Sequence, residues 1–508
     1  MRPLLAAAFG FLLAYAQWEE LGPPLHSAKL KLVTRGHMPA RIYVSRNKAP
    51  FRLAPVDAVI PIRSDLYYRD AIYTRNANPK TFEVVANDEY HYLLTAGEGL
   101  FYVPPGSYKV EAYRGLLYKP GEVEFELKAD ESREVTIDLV PWTDPAQWVS
   151  GDDHIHLTRD RKHDPLFLSW LAAEDLTVGN FLQLQRQMDA AVQYGFGRAA
   201  QPHRERYTIR SGHESRNEFW GHTNVLGPER LTRPMSTGTM YANSAPSDPF
   251  PYWIFAEGRK VGGLAGFAHF FEKPQHSTIY MQAALGDLDF VEVFQFGVLK
   301  RDSWYEMLNA GLRVNPIAGS DFPVPLSRMK PWPRWIPLLG PERAMVKARP
   351  GEDAWDTWSR GVKEGRAMVT NGPLVELDFD AKTGRVVARA SFWRKLARVE
   401  IVRNGEVIAS GTGPEVAAPG IDPLESCWLA ARAESERREG EPVIQGHTYP
   451  VYVIRNGKPV NAGGARARVR AKWEEELRYL RGAGIQFSSE ERKREFESLA
   501  EKALANLR

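Results

Sequence analysis

The chain has 508 residues, a length that suggests about three domains at roughly 150 residues each. Its 43% apolar and 25% charged residues are those of ordinary globular protein with a full core. Lysine and arginine number 66 against 63 acids, so no charge excess drives nucleic-acid binding, and a single cysteine, Cys427, excludes an intramolecular disulfide or a multi-cysteine metal site.

The N-terminus reads as an export signal. Arg2 supplies a positive start, Pro3 to Leu13 is almost wholly apolar, and Ala14-Tyr15-Ala16 fits the small-x-small cleavage rule. The apolar run is too short to span a bilayer comfortably, and no other stretch is apolar enough. Residues 1–16 are therefore expected to be a signal peptide, and the mature protein to be periplasmic or secreted, with no membrane span. Oligomeric state is left open.

Residues 26–142 read as a small β-sandwich. Phe101 to Val110 reads as strand, Pro-Gly turn, strand. Val123, Phe125 and Leu127 alternate with glutamates, and Val135, Ile137 and Leu139 alternate likewise, as in half-buried antiparallel strands.

From residue 147 to 373 buried-strand patterns alternate with helical ones, which argues for a parallel sheet or barrel. The strand candidates are Val149–Leu157, Leu264–Phe270, Phe290–Phe294 and Arg313–Ile317. Asp164-Pro165 opens a helix as N-cap and first helical proline. Asp302 to Gly311 puts Trp304, Met307 and Leu308 on one helical face. Residues 229–252 read as a long loop over this domain. After Asn371-Gly372-Pro373 the chain turns β again, with a hairpin at Asn404-Gly405, and residues 374–463 read as a second sandwich. Residues 464–508 read as a helical tail, charged outside over one apolar stripe, with a capping box at Ser488-x-x-Glu491.

Chemistry concentrates in the middle domain. If Val149–Leu157 is a strand, His154 and His156 share one face with Ile155 turned into packing. Paired neutral imidazoles are a good way to hold a divalent metal. Eight of the twelve histidines lie between His154 and His276. Further segments bring Ser211-Gly-His-Glu214, His222 in Gly221-His-Thr-Asn-Val-Leu-Gly227, His269 after an apolar run, and Asp321 after Arg313 to Ser320. In parallel α/β folds, sites assemble at the carboxyl ends of strands, so these residues form a candidate metal site. Three or four nitrogen and oxygen ligands per ion suit zinc, manganese or iron. At the Glu214 segment, His213 is a rival ligand, although a carboxylate can bridge two cations and an imidazole cannot. Glu292 is either a partner for a ligand imidazole or the cap of a strand. His163 and His276 read as solvated loop histidines, and His447 as a surface residue of the C-terminal unit.

Gly151-Asp-Asp-His-Ile-His156, the Glu214 segment, the Gly221–Gly227 segment, the His269 strand and Gly319-Ser-Asp321 together resemble the PHP (polymerase and histidinol phosphatase) superfamily. The small sandwich before the motif and the Asn-Gly-Pro after the domain resemble its CehA/McbA-type metallohydrolases. The resemblance implies a distorted seven-stranded β/α barrel, flanked here by small β-sandwiches and C-terminal helices. It implies one ion on His154, His156, Glu214 and Asp321, and a second on Glu214, His222 and His269, with Glu214 bridging. Glu214 and Asp321 are then also the catalytic carboxylates, Asp321 guiding the proton of an activated water. Two departures concern a third metal position. Leu176-Thr-Val-Gly-Asn180 stands where the superfamily often has Thr-Asp-His, and Asp321-Phe-Pro323 where it often has Asp-x-His. A mono- or dinuclear site is what remains. The expected activity is hydrolysis of an ester, carbamate, amide or phosphoester in a small-molecule substrate. The alternative is a non-catalytic periplasmic or cell-surface binding protein on a degenerate barrel.

Overall fold

The structure is a computed structural model that describes residues 26–53, 62–63, 80–86, 89–157, 161–184, 195–217, 220–232, 249–270, 278–322, 338–421 and 424–508. The export signal, residues 233–248 of the long loop, and His276 lie outside the described residues.

The N-terminal unit is two facing sheets over one core. Ala28–Thr34 pairs antiparallel with Glu98–Val103, but in parallel with Ser132–Ile137, a departure from the all-antiparallel expectation. The strands in that parallel pair lie a hundred residues apart in sequence, so no hairpin dictates their direction. The second sheet holds Ala40–Arg46, Gly106–Tyr113 and Gly121–Leu127. The Pro104-Pro105 turn carries the chain from one sheet to the other. Leu30, Leu32, Ile42, Phe101, Tyr108, Val110, Phe125 and Ile137 meet between the sheets, and Glu122, Glu124 and Glu126 face water.

The middle unit is built on seven strands in hydrogen-bonded sequence. They are β1 (Trp148–Ile155), β2 (Val178–Leu184), β3 (Tyr207–Asn217), β4 (Gly221–Leu226), β5 (Leu264–Phe267), β6 (Phe290–Gln295) and β7 (Pro316–Ala318). Neighbours β1–β2, β2–β3, β5–β6 and β6–β7 are parallel. The pairs β3–β4 and β4–β5 are antiparallel, so the sheet is mixed rather than parallel throughout. The reason is local: β3 and β4 are separated by three residues, too few for a crossover. Just beyond β7, Phe322 bridges in parallel to Ile155 at the end of β1. The His156 N–H donates to the Phe322 carbonyl at 2.6 Å, and the Phe322 N–H to the His154 carbonyl at 3.1 Å.

Asp152 ties these strand ends together. It is fully buried. Its Oδ1 accepts from the backbone N–H groups of His154 (2.9 Å) and Ser320 (3.0 Å). Its Oδ2 accepts from the Ser320 hydroxyl (2.6 Å) and the Gly340 N–H (2.8 Å). One carboxylate thus fixes the backbone at His154 and at the turn that carries Asp321.

On its other edge β1 pairs with Arg343–Lys347, which pairs with Met368–Thr370, which pairs with Gln445–His447. The C-terminal β unit therefore continues the central sheet. It faces a small sheet of Leu374–Phe379, Val386–Ser391 and Glu415–Ala418 across a core of Val399, Ile401, Leu429 and Ala431. The hairpin at Asn404-Gly405 forms, both residues at positive φ as a tight two-residue turn requires. Helices Ala465–Gly482 and Glu490–Asn506 follow, and their Trp473, Leu480 and Phe496 share one core with Trp304 and Met307. The second of these is capped by Ser489, whose hydroxyl accepts from the Arg492 N–H, one residue later than expected. Among the described residues, no helix is long and apolar enough to cross a membrane.

Replacing Asp152 by alanine strands three buried backbone donors and a hydroxyl, and should destabilise the protein by about 3 kcal/mol or more. Urea unfolding midpoints of wild type, Asp152→Ala and Asp152→Asn check this; the asparagine variant, which keeps one acceptor oxygen, should lose less.

Candidate metal centre

The period-two rule of strands decides which side chains meet. His154 and His156 leave β1 on one face. On β3 adjacent residues face opposite ways, and Glu214 turns to the imidazoles while His213 turns away to the Thr232 hydroxyl, 2.6 Å from its Nε2. Burial pushes His213 down to about 3, so it is a neutral core histidine. The choice between them left open above therefore falls to Glu214. His222 enters at the start of β4, where the β3–β4 register sets it opposite Arg216. His269 follows β5 and Asp321 follows β7, and both take positive φ, +52° and +50°. A non-glycine residue there costs about 1–3 kcal/mol, and such strain gathers where a side chain must be aimed.

The donor atoms converge. His154 Nε2 and His156 Nε2 are 3.0 Å apart. Asp321 Oδ1 lies 3.4 Å and 3.2 Å from them. Glu214 adds Oε1 at 3.6 Å from His154 Nε2 and Oε2 at 3.2 Å from His156 Nε2. Metal bonds of ~2.0–2.1 Å place tetrahedral ligand atoms roughly 3.4 Å apart. The His154–His156–Asp321 spacings match one face of such a tetrahedron, with the two Glu214 oxygens beside it. A second group adjoins it: Glu214 Oε1 is 2.9 Å from His222 Nδ1 and 3.4 Å from His269 Nε2. These buried His and Glu groups can hold a metal ion. The donor chemistry fits one. Glu214 Oε1, His222 Nδ1 and Asp321 Oδ1 are buried without a hydrogen-bond partner, a state that polar groups rarely tolerate unless an ion or water completes them.

The far sides of the rings are held too. His154 Nδ1 lies 3.1 Å from Glu292 Oε1, and the backbone N–H of His269 donates to Glu292 Oε2 at 2.8 Å. Gln295 donates to Glu292 at 3.0 Å and its carbonyl oxygen faces His269 Nδ1 at 2.8 Å. The Leu182 carbonyl faces His156 Nδ1 at 3.2 Å. An N–H donated from the far nitrogen leaves the near nitrogen's lone pair for a metal. Of its two readings, Glu292 is thus the ring partner. Gly319 is forced by this crowding, because a methyl there would collide with Asp153 and Glu292 carboxylate oxygens.

Burial opposes charge at Asp321, Glu214 and His154, and their neighbours overcome it there. It pushes Asp321 up, but His154, His156 and His269 outweigh it and hold the carboxyl at about 2. Arg216 and His222, with His154 and His156, bring Glu214 well below the usual carboxylate range against the same penalty. Burial lowers His154, yet Asp321 and Glu292 raise it well above an ordinary imidazole. Without a metal, Asp321 and Glu292 favour a proton on His154. A divalent ion would have to displace that proton.

Other residues land elsewhere. His163 is buried beside Phe167, not solvated. His447 is also buried, correcting the surface reading: its Nε2 meets the Tyr305 hydroxyl at 2.6 Å, and burial lowers it to about 3. The Asn180 side chain donates to the Asp152 carbonyl, and Phe322 packs on Trp170. Sequence reading passed over Arg216, Gln295, Asn224 and Asp153. Asp153 is fully buried with neither carboxylate oxygen hydrogen-bonded, its pKa driven well up by burial and by Glu292. Arg216 alone had a signal, two residues beyond Glu214 on the same strand face.

No family model matches the chain, and no curated protein does. Among solved structures, PsfC from Pseudomonas syringae PB-5123 is similar at 15% identity and a TM-score of 0.28, over 42% of this chain and 88% of that one. A likeness at that level carries no argument about fold or chemistry.

Glu214→Ala removes the donor common to both groups. Bound zinc or manganese per chain, read by elemental mass spectrometry, should fall by more than half relative to wild type. Metal binding should also release protons, because His154 is raised. Calorimetry in buffers of different ionisation enthalpy should therefore show about one proton lost per ion or more, and affinity rising with pH. Metal uptake without proton release would contradict the charge balance described here.

Proposed function

We propose that this chain is an exported, metal-dependent hydrolase of the PHP type, acting on an ester, carbamate, amide or phosphoester of a small molecule. The observation that carries the reading is the set of donor atoms from six residues, spaced as coordination edges, with buried oxygens left without hydrogen bonds. We read the seven strands, with the Phe322–Ile155 bridge between the first and the last, as a distorted β/α barrel. His154, His156, Glu214 and Asp321 would hold one divalent ion, and Glu214, His222 and His269 a second; zinc, manganese and iron all suit this donor set. Such ions supply Lewis acidity, which acidifies water and polarises a carbonyl or phosphoryl group.

The chain's own groups suit the rest of a hydrolysis. Asp321 stays ionised, and would orient a water by accepting its hydrogen bond rather than by keeping its proton. Glu292 and Gln295 keep the rings of His154 and His269 from rotating. The His222 side chain is 32% exposed while Glu214 is fully buried, so a substrate would approach from the His222 side.

A panel of nitrophenyl acetate, nitrophenyl phosphate and bis-nitrophenyl phosphate, with and without added zinc or manganese, tests the proposal. Turnover on at least one, lost on chelation and reduced to background in His154→Ala, is the expected result. Flat traces across a wide ester and amide panel, from protein with its metal fully loaded, would favour a binding protein instead.

A further inference from the structure

The two oxygens of Glu214 are engaged differently. Oε1 lies nearest His222 and His269, at 2.9 Å and 3.4 Å, with His154 Nε2 farther at 3.6 Å, and has no hydrogen bond. Oε2 faces His156 at 3.2 Å, toward the His154–His156–Asp321 group, and there it already accepts the Nε–H of Arg216 at 2.7 Å. Arg216 sits two residues beyond Glu214 on β3, its side chain 12% exposed, and the strand register holds it opposite His222. A guanidinium does not deprotonate in a protein. An oxygen that accepts a charge-assisted hydrogen bond from it is a poorer ligand for a dication, because one of its two lone pairs is occupied, its charge is partly neutralised and the two cations repel.

We infer that Arg216 is a positioning residue that withholds Glu214 Oε2 from the His154–His156–Asp321 ion, leaving one coordination position of that ion to solvent. This narrows the four-ligand assignment above to His154, His156 and Asp321, with Glu214 serving chiefly the His222–His269 ion through Oε1. Structural metal sites are closed by protein ligands, whereas catalytic ones keep a position open. Arg216 supplies that opening by competing for a ligand rather than by lacking one. The inference rests on the metal reading above and concerns how the centre is kept usable.

The test uses the full chain loaded with Co2+, whose visible absorption reports coordination, and azide as the probe of an open position. In wild type, azide should shift the Co2+ bands. In Arg216→Met, which has no donor, Oε2 should close the site: the azide response should disappear and Co2+ should bind about tenfold more tightly, the scale of effects from groups that hold a ligand. Arg216→Lys, which keeps a charged donor, should retain the azide response. An undiminished azide response in Arg216→Met, or weaker Co2+ binding, would overturn the inference and make Arg216 a simple support for Glu214. If far-ultraviolet circular dichroism shows Arg216→Met unfolded, Arg216→Gln replaces it. As a weaker, uncharged donor it should bind Co2+ more tightly than wild type, and unchanged affinity counts against the inference. Absence of Co2+ bands in wild type would instead sink the metal centre itself, a result distinct from a bound metal indifferent to Arg216.

Discussion

A fully buried carboxylate sits where four imidazoles and a guanidinium converge. Glu214 lies within 3.6 Å of His154, His156, His222, His269 and Arg216. Burying an ionised carboxylate is expensive unless it is paired, and the penalty falls on whatever surrounds it. The middle of the fold can be read as the solution to that problem. β1, β3 and β4, and the segments after β5 and β7, each deliver a compensating or competing group to the same few ångströms. Packing alone would fill such a space with apolar side chains. Here the space is kept polar, and the surrounding backbone is fitted to it.

The fitting shows in where local rules are broken. His269 and Asp321 hold left-handed backbone, which their side chains do not favour, and Gly319 is small because two carboxylates leave no room. Asp152 absorbs the disorder that such a turn would otherwise have, by taking four hydrogen bonds from three chain segments. Rigid support and strained delivery go together: a residue can be kept in an unfavourable conformation only where its neighbours over-determine it.

Much of the centre was legible because it depends on short-range periodicity. His154 and His156 are two apart in a strand, and the period of two places them without any tertiary knowledge. The same rule separates Glu214 from His213, once β3 is known to run unbroken from Tyr207 to Asn217. That strand was hidden by its own chemistry, since Arg210, His213, Glu214 and Arg216 give it no apolar alternation. Strand direction was less legible. The antiparallel β3–β4–β5 stretch depends on connection length and on pairings that composition does not encode. The histidines that meet Glu292, and the Tyr305 partner of His447, lie 23 to 142 positions away in sequence. The N-cap slipped by one residue because Ser488 and Ser489 are chemically equivalent candidates and only backbone geometry separates them.

The C-terminal unit reads in sequence as an appended module, yet it is joined to the middle unit through shared ladder bonds. Val369 and Thr370 pair with His447 and Gly446, and Gln445–His447 pairs in turn with Cys427–Ser435. At Asn371-Gly372-Pro373 the chain leaves the long sheet for the small facing one, while the long sheet itself continues through Gln445–His447. A chain cut there would bare the outer edge of Met368–Thr370 and uncover Trp304 and Tyr305, which His447 and Trp428 now cover. An exposed strand edge beside an uncovered aromatic patch is a template for self-association. The part of this protein that holds the candidate chemistry is therefore not a part that can be carried, whole and soluble, into another protein by copying its sequence limits.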